Sequence, residues 1–292
     1  MPQTQAAYTI KTNKLSLTIA ILDISSLHVH EEIIPQLLQR LTVSIAADGY
    51  VKDPIIADKK TLTVLDGAHR VAALRKLRIP RIPACLVDYG NPNIKVSNWY
   101  RTITDNSNLE KVIKTLKLQR VTIESSQESN INKAGTPPNV ATIKLRNTSF
   151  LIKSRFTNIS EAFGIIGKIE SKLRTSRFKM RYETERDALE SLHAGSVEAV
   201  ICTPILTKKK IVDLALSGAV LEAKTTRHVI PVRPMRLNVP ISLLRNVKKP
   251  LKEVNRELRD TLQSKRLRVL PSGTVVDGRR YEEELYVFEE SS

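Results

Sequence analysis

The chain has 292 residues, 41% hydrophobic and 26% charged, which is typical of folded globular proteins and leaves room for two modest domains. It has no apolar run of about 18 residues, no apolar signal core in the first 13 residues and only two cysteines, so we expect a cytoplasmic protein without membrane binding or a disulfide framework. The net charge of +17 suits nucleic acid or small phosphorylated and carboxylated metabolites, but the basic residues are dispersed and aromatics make up only 4%, so nucleic acid is the less favoured partner.

The first elements predict a compact α/β unit. Residues 8–22 alternate in part between polar and apolar side chains, which predicts one or two strands. Apolar residues then recur at helical spacing over residues 37–45, and Asp48-Gly49 ends that helix. Residues 50–57 read as a strand, followed by a turn at residues 58–61.

Two histidines and two glutamates precede the first helix. His28 and His30 stand two apart, as in a metal pair carried by a strand, but no third ligand follows at a recognisable spacing, so ordinary histidines are the better interpretation. Glu31 and Glu32 are candidates for chemistry; their alternative role is to compensate the helix dipole.

Residues 62–77 predict a strand, a tight turn and a helix, and the rest of the chain is organised around this turn. Gly67 lets a ligand approach the backbone, and a helix N-terminus suits a phosphate. His69 and Arg70 add donors for phosphate oxygens, while Asp66 could hold a magnesium ion. The alternative is an ordinary capped turn, because no complete phosphate-binding fingerprint is present.

The second half of the chain continues the α/β alternation. A strand is predicted over residues 82–89, and Trp99, Tyr100 and Arg101 then form a group that could wall a small polar substrate or simply join the core. The later expectations are a helix at 109–118, a polar linker at 124–139, a hairpin at 140–146 and 149–153, helices at 158–174, 184–194 and 208–217, and strands at 178–182 and 197–203.

A second chemical cluster, residues 224–231, combines hydroxyl, guanidinium and imidazole groups. It could clamp a phosphate if it folds back on the Asp66 turn; otherwise it is a basic loop. The tail from residue 247 predicts a helix at 252–267 and a hairpin turn at Asp277-Gly278, and it reads as a packing or oligomerisation arm.

Four stretches together, HEEIIP, VLDGAHRVAALRKL, NWYR and KTTRHVIP, resemble the free L-serine kinases of archaea. The likeness covers approximately residues 15–244. It implies a ParB/sulfiredoxin-like N-terminal domain (1–123), a linker or insertion (124–139), a smaller α/β C-terminal domain (140–246) and an extension (247–292), with the active site in the cleft between the two domains. It also implies phosphoryl transfer from ADP or ATP to free L-serine, with Mg²⁺, in serine and cysteine metabolism.

The resemblance assigns roles to residues of this chain. Glu31 corresponds to the catalytic base, with Glu32 as a neighbouring helper at the substrate. Trp99 corresponds to the wall of the amino-acid pocket, and Asp66 to the catalytic and metal-binding aspartate. The nucleotide phosphates are assigned to Gly67, Ala68, His69, Arg70, Thr225, Thr226, Arg227 and His228.

One position departs from the family pattern. Ala68 stands where the family turn carries its first histidine, so one expected phosphate contact is missing, at a cost of roughly 1.5–3 kcal/mol. The change allows weaker nucleotide binding, a different nucleotide, or another acceptor such as L-threonine. A ParB-like nucleotide- or DNA-binding protein, or a ParB-like nuclease, is the rival interpretation, but the far half lacks a helix-turn-helix pattern. Sulfiredoxin chemistry is disfavoured because the turn has no cysteine.

Overall fold

The computed structural model describes residues 6–104, 121–126 and 134–291, so the helix predicted over residues 109–118 lies outside the described residues. The chain forms two compact units. Unit 1 comprises Met1–Lys95, Lys208–Val220 and His228–Ser292, and unit 2 comprises Val96–Thr207 and Leu221–Arg227. Each unit is mixed α/β, as expected.

The secondary structure elements follow in chain order. The strands are β1 (Tyr8–Lys11), β2 (Ser16–Asp23), β3 (Tyr50–Val51), β4 (Ile55–Asp58), β5 (Val64–Asp66), β6 (Arg81–Val87), β7 (Lys95–Ser97), β8 (Tyr100–Thr104), β9 (Thr122–Ser126), β10 (Asn139–Lys144), β11 (Ser149–Lys153), β12 (Lys179–Glu183), β13 (Ala199–Cys202), β14 (Arg227–Val229), β15 (Val232–Met235), β16 (Val239–Pro240), β17 (Arg266–Leu270), β18 (Val275–Val276), β19 (Arg279–Arg280) and β20 (Glu284–Glu289). The α-helices are α1 (Pro35–Asp48), α2 (Ala68–Lys76), α3 (Ile159–Thr175), α4 (Glu185–His193), α5 (Lys208–Leu216), α6 (Ile241–Arg245) and α7 (Leu251–Gln263).

A five-stranded sheet in the order β1-β2-β6-β4-β5 forms the core of unit 1. Strand β6 is buried along its whole length because β2 pairs with it antiparallel and β4 pairs with it parallel. The apolar run predicted at 82–89 is therefore a central strand, as such runs usually are. Its cysteine, Cys85, is buried with a free thiol, and burial raises the pKa of that thiol to about 12.

The predicted helix, hairpin, turn and helix of unit 1 are confirmed. Helix α1 ends at Gly49, which adopts a left-handed conformation with φ 75°. Strands β4 and β5 pair antiparallel, and the turn between them is held by Asp58, whose Oδ2 accepts the N–H of Thr61 at 3.0 Å. Strand β5 is an edge strand of this sheet and leads directly into α2, so the turn at Asp66-Gly67 lies at the edge of the sheet.

The tail packs onto unit 1, so it is not a separate appendage. Asn255 on α7 accepts the backbone N–H of Ile21 at 2.7 Å and donates to its carbonyl at 3.2 Å. Strand β20 lies between β15, to which it is parallel, and β17, to which it is antiparallel. The hairpin turn is confirmed, with Asp277 and Gly278 both at positive φ between β18 and β19. The tail helix was predicted too long, because the residues after Ser264 pair with β20 as β17.

Unit 2 contains a six-stranded antiparallel sheet in the order β12-β8-β13-β10-β11-β9. The hairpin of β10 and β11 and the helices α3 and α4 were expected. Residues 124–126 belong to β9, because they pair with β11, so this end of the predicted linker is a strand. The predicted domain boundaries remain a prediction. In the structure, residues 228–291 belong to the same compact unit as the N-terminal sheet.

Within the described ranges, none of the helices is both long and apolar enough to cross a membrane.

Candidate active site

The strand, tight turn and helix predicted around Gly67 are present as β5, the turn and α2. Gly67 has φ 101°, and a Cβ at this position would lie 2.7 Å from Cγ2 of the buried Ile55. Only glycine fits both the left-handed conformation and the space. Helix α2 starts at Ala68, and the first N–H groups of a helix have no acceptor within it, which makes this end suitable for an anion.

Arg70 braces this turn. Its Nη1 donates to the carbonyl of Asp53 at 3.1 Å and also to the carbonyl of Pro54, and its Nη2 lies 3.2 Å from Oδ2 of Asp66. The guanidinium therefore links the turn to the loop before β4. A phosphate at this place would meet a cation that is already fixed in position.

The segment that carries Glu31 lies beside the turn. The backbone N–H of Val64 donates to the carbonyl of His28 at 2.8 Å, so residues around His28 run next to β5. Six residues later, the N–H of Ile34 donates to Nε2 of His69 at 3.0 Å. The structure therefore brings the Glu31 segment and the Asp66 turn together. Since Nε2 accepts here, the hydrogen bond assigns the proton of a neutral His69 to Nδ1.

Two buried histidines, His30 and His228, lie next to each other, and His30 is also close to Glu31. His30 Nε2 is 4.0 Å from Glu31 Oε1, and burial lowers the pKa of His30, an effect that Glu31 partly offsets. The His228 ring stands edge-on to His30, with the centroids 6.2 Å apart, and its Nε2 shares a 2.7 Å hydrogen bond with the hydroxyl of Tyr89. Burial lowers the pKa of His228 to about 3, so this imidazole is neutral near pH 7.

Sequence reasoning missed Arg233, which pairs with Asp66, and Glu283, which pairs with Arg233. Arg233 Nη1 lies 2.6 Å from Asp66 Oδ2, and Arg233 Nε lies 2.6 Å from Glu283 Oε1. The signal available in the sequence was an arginine in the apolar strand β15, since a buried charge requires a partner.

In unit 2, the structure brings Trp99 together with the second chemical cluster. Lys224 Nζ lies 5.0 Å from the centroid of the Trp99 ring, and the Arg227 guanidinium lies 5.6 Å from it. Thr225 is buried, and its hydroxyl donates to the carbonyl of Glu222 at 2.6 Å; Thr226 is buried as well. Two cations on one aromatic ring make a positive, partly apolar surface.

For Trp99, Tyr100 and Arg101 the sequence left a substrate wall and a core position open, and in the structure only Trp99 is partly exposed. Tyr100 and Arg101 lie in the core of unit 2, where β8 pairs on both sides. The fully buried Arg101 donates from Nε to Glu170 Oε1 at 2.6 Å and from Nη1 to the carbonyl of Trp99 at 2.6 Å. Arg101 therefore holds the backbone of Trp99 in place.

Asp66 is the candidate ligand for a metal ion at this turn. In the part of the chain that the structure describes, no three His, Cys, Asp or Glu side chains gather as a metal site. Magnesium in phosphoryl-transfer enzymes is commonly held by one or two carboxylates together with substrate phosphates. A partly exposed carboxylate at an anion-binding turn, such as Asp66, fits that donor set.

The chain is 30% identical over 239 residues to the ATP-dependent L-serine kinase of Staphylothermus marinus, a match that covers 77% of this chain and 90% of that protein. The chain belongs to the L-serine kinase family. It is also similar to the ADP-dependent L-serine kinase SerK of Thermococcus kodakarensis, with 26% identity over 247 residues, 81% of this chain and 96% of that protein.

Other comparisons concern the fold and a shorter stretch of the sequence. The solved structure of a free serine kinase in complex with AMP has a TM-score of 0.67 at 24% identity, covering 81% of this chain and 97% of that one, so the two share a fold. A ParB-like protein of Sulfolobus acidocaldarius is 31% identical over 91 residues, 31% of this chain and 45% of that protein. No protein-family profile matches the chain. The family expectation from the four sequence stretches is confirmed.

Proposed function

We propose that this chain transfers a phosphoryl group from ADP or ATP to the hydroxyl of free L-serine and releases O-phospho-L-serine. The names of the relatives include both donors, so both belong to the proposal. The single observation that carries it is the 3.0 Å hydrogen bond from the Ile34 N–H to His69, because it ties the glutamate segment to the phosphate-binding turn.

Glu31 is the general base of the proposed reaction. A serine hydroxyl is a poor nucleophile, so a carboxylate takes its proton while the oxygen bonds to the terminal phosphorus and the bond from phosphorus to the nucleotide's bridging oxygen breaks. The Glu31 side chain is only 17% exposed and lies beside the buried His30. Glu32 is exposed, which suits a helper at the substrate better than a base.

The phosphate oxygens are assigned to the turn of unit 1. The backbone at Gly67 and Ala68, with His69 and Arg70 on the first turn of α2, supplies N–H groups and positive charge where the transition state is most negative. Ala68 offers only its backbone, so the donor phosphates depend more on Arg70. His228 is buried and neutral, which suits a supporting role behind the phosphates.

Unit 2 is assigned to the amino acid and to further phosphate contacts. In the proposed reaction Trp99 walls the serine pocket, and Thr226 and Arg227 add donors for phosphate oxygens. Thr225, whose hydroxyl donates to the carbonyl of Glu222, supports this segment. The positive surface formed by Lys224 and Arg227 on the Trp99 ring supports this assignment, because both substrates carry negative groups.

Asp66 is the residue that would hold Mg²⁺. The ion, when bound, would neutralise charge on the phosphate oxygens. The protein's own contribution is to keep the Asp66 carboxylate at the turn, which Arg70 and Arg233 do through ion pairs to Oδ2.

The test is direct product analysis. The protein is incubated with Mg²⁺, either ADP or ATP, and a panel of free hydroxylated amino acids that includes L-serine and L-threonine, and phosphorus NMR identifies the product. We expect O-phospho-L-serine. A product formed only from L-threonine would replace the acceptor, and no phosphorylated amino acid with either nucleotide would contradict the proposal.

Glu31→Gln and Glu32→Gln form a matched pair for the base. Removal of a general base costs roughly 10²- to 10⁴-fold in rate. We expect this loss in kcat for Glu31→Gln with nucleotide affinity kept, and a much smaller loss for Glu32→Gln. Wild-type turnover in Glu31→Gln would remove Glu31 from the mechanism.

A further inference from the structure

The C-terminal tail reaches the phosphate-binding turn through two buried charges. The Glu283 side chain is 2% exposed and the Arg233 side chain 7%. Arg233 donates from Nε to Glu283 Oε1 and from Nη1 to Asp66 Oδ2, both at 2.6 Å. Arg233 therefore bridges a carboxylate of the tail and the carboxylate of the turn.

The sheet of the tail explains why these groups meet. Strand β20 runs parallel to β15, with Val232 opposite Glu284 and Arg233 opposite Leu285. Glu283 immediately precedes β20, and the backbone N–H of Glu284 donates to the carbonyl of Pro231. The position of Glu283 is thus fixed by backbone pairing, and the position of Arg233 is fixed by its strand.

We propose that Arg233 and Glu283 are positioning residues that fix the Asp66 carboxylate, so that the C-terminal tail is a working part of the kinase site. This inference rests on the proposed function, because the importance of Asp66 follows from phosphate and metal binding at the turn. It adds the tail, which carries no recognisable catalytic signature of its own.

The charges of this group support the inference. Asp66 and Glu283 contribute two negative charges, and Arg70 and Arg233 contribute two positive ones, so these four side chains are balanced. Neutralising Glu283 removes the charge partner that holds Arg233 Nε in place. Arg233 then no longer holds the Asp66 carboxylate in one fixed position for a bound ligand.

The experiment compares Glu283→Gln with Glu284→Gln. Gln keeps the size of the side chain and removes one charge. Glu284 is the matched control, because it is adjacent, partly exposed, and pairs with Lys14 on the surface. Loss of a residue that orients a metal-ligating side chain typically costs roughly 10- to 100-fold in metal affinity or activity. We expect the nucleotide KM and the nucleotide Kd from calorimetry to rise by that factor in Glu283→Gln only, with the serine KM within twofold of wild type.

The KM values separate positioning from simple instability. A partly unfolded enzyme loses kcat in proportion to the folded fraction and keeps both KM values. Unchanged nucleotide KM and Kd in Glu283→Gln, or an equal change in Glu284→Gln, would overturn the inference. Should Glu283→Gln fail to fold, Arg233→Lys is measured in the same way, since one ammonium cannot replace both ends of the guanidinium bridge; a wild-type nucleotide Kd there would overturn it too.

The outcome is distinguishable from failure of the proposed function. If the wild-type chain makes no phosphoserine, the proposed function fails. The nucleotide Kd of the two variants, measured without serine, still decides whether the tail positions Asp66.

Discussion

The buried ion pair of unit 2 provides the sharpest stability prediction. Arg101 is fully buried, and its Nε meets Glu170 Oε1 at 2.6 Å. Glu170→Gln leaves the guanidinium charge in the core without its carboxylate, and breaking a buried pair in this way costs about 3–5 kcal/mol. The carbonyl of Trp99 and the hydroxyl of Thr203 still accept from Nη1, so we expect the lower end of that range.

Glu190→Gln is the matched control in the same unit. Glu190 pairs with Arg186 one helical turn away, but both side chains are mostly exposed, and such a pair contributes only about 0.3–0.5 kcal/mol. The expected contrast between the two substitutions is thus several-fold.

Urea denaturation followed by tryptophan fluorescence measures this contrast. Trp99 is the chain's one tryptophan and belongs to unit 2, so the signal reports the unit that carries the ion pair. With a slope of about 1–3 kcal/mol per molar urea, a loss of about 3 kcal/mol lowers the midpoint by about 1–3 M. Equal midpoints for Glu170→Gln and Glu190→Gln would refute the reasoning.

In Gly67→Ala the cost of positive φ, about 1–3 kcal/mol, adds to a clash with a buried side chain. Its melting temperature should therefore fall further than that of Gly49→Ala, where φ is also positive but space is open. Similar melting temperatures of the two variants would contradict this. The folded pKa of His228, about 3, lies below its unfolded value of 6.5. Its contribution to the free energy of unfolding is therefore complete above pH 6.5 and declines by about 1.4 kcal/mol per pH unit as the pH falls toward 3. For His228→Gln we expect the free energy of unfolding to fall less steeply toward acid pH. Trp99→Ala should raise the serine KM more than the nucleotide KM, whereas Trp99→Phe should keep both, as steady-state kinetics can check.

Local patterns predicted much of each unit. The turn was recognisable because its backbone restricts the residue types: the position of Gly67 tolerates no side chain, and a helix must begin directly after it. The hairpin at Asp277-Gly278 was predictable for the same reason, since both residues adopt positive φ. In these places a few neighbouring residues determine the structure.

Partners distant in sequence were not predictable. The pairing of β15 with β20 joins residues about fifty positions apart, and no local pattern shows that it is parallel. The glutamates of the tail looked like an acidic surface, yet Glu283 is buried. An arginine inside an apolar strand, such as Arg101 or Arg233, does indicate that a carboxylate must be near, but not which carboxylate.

The two units use the same physical arrangement to support residues assigned to ligands. In unit 1, Asp66 is held by Arg233, which is anchored by the buried Glu283; in unit 2, the backbone of Trp99 is held by Arg101, which is anchored by Glu170. A guanidinium suits this task because its planar, always charged fork binds two partners in fixed directions, whereas an ammonium acts as a point charge. Substitutions that impair the reaction are therefore expected at these arginines and at their carboxylate anchors as well as at the residues that meet the substrates.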